Sequence, residues 1–202
     1  MQGQEYWTLS KEREQLFEKL DGFRVRDPNK YMVQLVDNDD PMLFTWRVYT
    51  PDGFRTIRRS EWGSRSRMLP GGTVVGVVGQ GSYESVSIRF ELSGDKLVIH
   101  DLSNGTGGVA RHASQQLVDF IGKHAGDLEF EMFGSEGPVE VGVDKTIELL
   151  SIRIPAELHA ELELTMGEVE ASQFISRPFY RMWIGEKTLM EQMEPAKGRY
   201  QL

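Results

Sequence analysis

The chain has 202 residues, 39% of them hydrophobic and 27% charged, with ten Phe, six Tyr and four Trp, a globular composition with bulk enough for one core. It has no cysteine, which excludes disulfides, thiolate metal sites, iron–sulfur clusters and cysteine nucleophiles. A net charge of −8 opposes the phosphate attraction on which nucleic-acid affinity rests.

In chain order, residues 8–20 predict a helix, capped by Thr8 or Ser10, with Leu9, Leu16, Phe17 and Leu20 on one face and Gly22 as its stop. Residues 31–36 predict a short strand. Residues 42–49 and 54–59 predict a hairpin across Thr50-Pro51-Asp52-Gly53, where Pro presets the turn and Gly accepts positive φ. Residues 73–78 are a short apolar strand. The glycines around it (Gly71, Gly72, Gly76, Gly79 and Gly81) predict turns and a bulge, for they lack the Lys-Ser/Thr ending of a phosphate loop.

Residues 83–92 alternate well and turn at Ser93-Gly94-Asp95 into a strand over 96–102. After a loop over 103–108, residues 111–124 predict a helix with Leu117, Val118, Phe120 and Ile121 as its apolar stripe. Residues 128–133 and 139–143 predict a strand pair, and 146–154 a strand stopped by Pro155. Residues 157–164 fit strand or helix equally. The segment 167–193 is helical in composition, interrupted by Pro178 and Gly185. The expected fold is one α+β domain over residues 1–202: a largely antiparallel β-sheet, as sandwich or half-barrel, with N-terminal, middle and C-terminal helices. No apolar run approaches the roughly 18–20 residues of a membrane helix, and the first residues lack a secretory pattern. The expectation is therefore a cytoplasmic protein, or one assembled in the cytoplasm into a larger particle.

Charge is distributed unevenly: residues 1–70 carry net +1 and residues 71–202 net −9. Five arginines, Arg55, Arg58, Arg59, Arg65 and Arg67, crowd one stretch around Trp62, with Trp46 and Arg47 on the expected opposite strand. Guanidinium groups grip carboxylates in a forked geometry and stack on indoles, so this hairpin is a candidate partner-binding surface for an acidic protein face. The function this favours is a non-enzymatic assembly or protein-binding subunit without a cofactor, self-associating or docking on another protein. A viral or phage structural component, or a small adaptor, fits that description.

Two other function classes stand beside it. A hydrolase or transferase site would gather Glu129, Glu131, His100 and Asp101; the four histidines are scattered singly and make no zinc motif. The segment Leu97-Val98-Ile99-His100-Asp101-Leu102-Ser103-Asn104-Gly105-Thr106 resembles the late strand and Asn-Gly-Thr loop of forkhead-associated domains. That resemblance implies phosphothreonine-peptide binding through Ser85 or Ser87, Arg89 and Asn104. The family's upstream Gly-Arg pair is absent, and Arg89 and Phe90 stand in the region of its histidine.

Overall fold

The computed structural model describes residues 23–36, 40–62, 73–79, 81–94, 96–103, 106–112 and 115–192. The helix expected over 8–20 lies outside them. The strands are β1 (Lys30–Val36), β2 (Leu43–Thr50), β3 (Thr56–Trp62), β4 (Thr73–Gly79), β5 (Ser82–Ser93), β6 (Lys96–Ser103), β7 (Thr106–His112), β8 (Glu129–Met132), β9 (Val139–Gly142), β10 (Ile147–Arg153) and β11 (Tyr180–Glu186). The helices are α1 (Gln115–His124), α2 (His159–Met166), α3 (Glu168–Ile175) and α4 (Lys187–Gln192). Strands join antiparallel into a six-stranded sheet A, β7-β6-β5-β2-β1-β9, and a five-stranded sheet B, β4-β3-β11-β10-β8. The class is α+β with largely antiparallel sheet, as the sequence predicts.

Alternation builds the interior. On β2, Phe44, Trp46 and Val48 are buried, and on β5, Val86, Ile88 and Phe90. They share one cluster with Leu149, Ile152, Tyr180, Met182 and Ile184 of sheet B. Phe90 meets Tyr180 edge-on at 5.0 Å between ring centroids, and Phe44 meets Phe130 at 5.4 Å, so the sheets pack face to face as a sandwich. Leu117, Val118, Phe120 and Ile121 of α1, with Leu162 and Phe174 of α2 and α3, extend this core. Each fully buried side chain of this kind stabilises by about 1.5–3 kcal/mol.

Several expectations are corrected here. The Pro51–Gly53 turn exists, with Gly53 at φ 80°, but it does not close a hairpin. β2 pairs with β1 and β5, whereas β3 pairs with β11 and β4. The chain crosses from sheet A to sheet B there and returns between β4 and β5, where Gly81 N donates to Pro51 O at 3.2 Å. Turn chemistry sets a reversal; which strand lies alongside is set by the faces to be buried. β8 and β9 likewise do not pair, since β8 joins β10 and β9 joins β1.

Residues 106–112 are strand rather than loop and helix, so Arg111 and His112 belong to β7, and α1 begins at Gln115. Their glycines and Val109 disfavour helix and accept extension beside β6. Residues 159–166 resolve as helix. Tyr180–Glu186, expected as helix, is a strand between β3 and β10.

Candidate functional site

The arginine-bearing strand β3 presents alternate residues to opposite faces. Thr56, Arg58 and Ser60 are buried towards sheet A, whereas Ile57 packs on the other side with Trp183 and Met190. Arg58, only 1% exposed, places Nε 2.6 Å from Asp101 Oδ1 across the sandwich. Its Nη2 donates to Asp101 O at 3.3 Å, and Ser60 Oγ donates to Asp101 Oδ2. Burial pushes the Asp101 carboxyl above its ordinary value, against the opposing pull of Arg58 and Ser60. Burial, with the neighbouring Asp101 charge, pushes the Tyr180 phenol well up. Arg59 pairs with Glu61 and donates from Nη1 to Met190 O at 3.5 Å.

Among the described residues, Trp46 and Arg47 of β2 and Arg58 and Arg59 of β3 therefore share no hairpin surface. Arg58 and Arg59 are consumed inside the molecule, and Trp46 is fully buried, its indole Nε1 donating to Phe133 O at 2.9 Å. Arg47 lies on sheet A, away from β3. It lines a hollow of about 230 Å³ with Phe23, Thr45 and Tyr83, and an adjoining one of about 520 Å³ with Gln34 and Glu136. Arg55 is exposed just before β3. Trp62 ends β3 opposite Tyr180. Arg65 and Arg67 lie outside the described residues.

The other candidate groups do not converge. Asp101 is held by Arg58, while neighbouring His100 meets Glu91 at 3.2 Å. Glu129 and Glu131 are exposed on β8, at an edge of the opposite sheet. Ser87 Oγ lies 3.1 Å from Thr45 Oγ1, Arg89 lies 3.6 Å from Asp40, and Asn104 is outside the described residues. Among the described residues no three His, Asp or Glu side chains form a metal cluster, and no helix is long and apolar enough to cross a membrane.

Sequence reading missed two charged clusters. Arg181 grips Glu148 through Nε at 2.8 Å and Nη2 at 2.6 Å and lies 4.5 Å from the Trp183 ring. His124 joins α1 to α2, its Nδ1 3.1 Å from Asp127 and its Nε2 3.0 Å from Glu161. The basic character of the α1 end was visible in Lys123 and His124; the strand bearing Arg181 was not.

The sandwich has two flanks where both sheets end. On one, β8 and β9 are four residues each and carry Glu129, Glu131 and Glu140. On the other, β4 and β7 are seven residues each, and β4 reads Thr-Val-Val-Gly-Val-Val-Gly without a charge or proline. Among the described residues nothing pairs with the outer side of β4 or β7. No family model matches the chain, and neither does any curated protein or solved structure.

Proposed function

We propose that this chain is a non-enzymatic assembly or protein-binding subunit, joined to other chains through its β4/β7 flank. One observation carries the reading: among the described residues β4 ends its sheet, with seven consecutive residues free of charge and proline. Such an edge leaves a row of backbone donors and acceptors without the usual devices that discourage another strand. Strand addition satisfies those groups and is a standard way for proteins to recognise protein. Of the described arginines in the cluster, Arg55 is exposed and supplies a cationic contact for an acidic partner beside this flank. A component of a larger particle or a small adaptor is the class of subunit this suits.

Light scattering at low and high salt, with recovery of whatever copurifies with the untagged chain from its native source, tests the reading. Assemblies larger than one chain, or a stoichiometric protein partner, are expected. Persistence in high salt favours strand pairing, because apolar and backbone contacts are screened little, whereas an Arg55 contact weakens. A monomer at both salts with no copurifying protein overturns the proposal.

A further inference from the structure

We propose that β4 pairs with itself: two copies of this chain join edge to edge, antiparallel, with Gly76 of one copy opposite Gly76 of the other. The inference rests on the assembly reading and names the occupant. Around Gly76 the strand reads the same in both directions, Val74-Val75-Gly76-Val77-Val78. A two-fold axis through Gly76 therefore sets Val75 opposite Val77 of the second copy and Val74 opposite Val78. Every valine meets a valine and no charge is brought in. Residues directly opposite each other across strands are the unit of sheet stabilisation, and an antiparallel two-fold pairing is self-complementary by construction.

The other edges lack this symmetry. β8 and β9 carry glutamates, and β7 couples Gly107-Gly108 at one end to Arg111-His112 at the other. Joining at β4 extends the five-stranded sheet B of each copy into one continuous sheet.

The absence of cysteine makes a site-specific test direct. Opposed residues in an antiparallel pair have Cα atoms about 4.5–5.5 Å apart, within the span a disulfide bridges. Gly76→Cys is expected to oxidise to a linked dimer, and so is a mixture of Val75→Cys with Val77→Cys copies. Val75→Cys alone is expected to link about 10-fold less, because its own copy sits diagonally at roughly 7–8 Å. Val139→Cys on β9 is the control and should stay unlinked. The mixed pair covers the case in which Gly76→Cys does not fold, and sedimentation of the unmodified chain, expected dimeric, needs no variant.

A monomer at all concentrations, or linking as strong for Val139→Cys as for Gly76→Cys, overturns the pairing. If the chain is monomeric but another protein copurifies, self-pairing fails while the assembly reading stands. If nothing copurifies either, both fail.

Discussion

The two flanks of the sandwich are finished differently. At β8/β9 one turn is held by both sheets: Phe133 N donates to Leu149 O at 3.0 Å, Leu35 N donates to Gly134 O at 3.1 Å, and the Trp46 indole donates to Phe133 O at 2.9 Å. Gly134, at φ 76°, sits so close that a Cβ there would lie 3.1 Å from the Gln34 Cα. Near β4/β7 the corresponding tie is ionic, Arg58 of β3 to Asp101 of β6, and the edge strands are longer. Short, glutamate-bearing edges closed by a crossing turn end a sheet; among the described residues β4, long and uncharged, leaves sheet B open to continuation.

The contrast can be broken at the ionic tie first. Arg58→Met leaves Asp101 buried without its cation and should cost about 3–5 kcal/mol, with most of the loss recovered in Arg58→Met/Asp101→Leu. Urea midpoints of the two single variants and the double decide it; a double no more stable than Arg58→Met removes the tie from the argument. At the closed flank, Gly134→Ala forces a Cβ at positive φ against backbone and should cost about 1–3 kcal/mol. Trp46→Phe strands the Phe133 carbonyl and should cost about 1–3 kcal/mol. Thermal melts read both, and a change in neither would mean that the turn does not close that flank.

The smallest effect is in pH. Because burial raises the Asp101 carboxyl above 3.8, the folded chain holds that proton more tightly than the unfolded chain. The resulting stability is full below the unfolded value and is lost as pH rises through the folded one. Wild type should therefore gain stability relative to Asp101→Asn as pH falls from neutrality towards the carboxylate range. Paired denaturation curves at the two ends of that window check it, and a constant difference contradicts it.

Strands with one buried face were legible in the sequence, because β2 and β5 alternate as their burial does. β11 was not legible. Its inner face packs into the sandwich through Tyr180, Met182 and Ile184, and its outer face against α4 through Trp183, so its apolar residues show no period of two. Pairing partners were also hidden, because the same turn at Gly53 serves a hairpin or a crossing between sheets. The arginine cluster misled for a related reason: nothing local to Arg58 announces that Asp101, 43 residues on, will meet it in the interior. β4, by contrast, displays its lack of charge in seven adjacent letters, and only its place at the end of a sheet gives that a meaning.

The pairing of β3 with β11, Thr56 opposite Glu186, bears on how the chain is made. On a ribosome adding about 5–20 residues per second, the strand that sheet B needs beside β3 follows some 6–25 seconds after β3 itself. Through that interval β3 has β4 on one side and no strand on the other, so its second row of backbone groups is open in the nascent chain and closed in the finished one. Loss of the stretch after Phe179 would leave β3 and β10 with no strand between them.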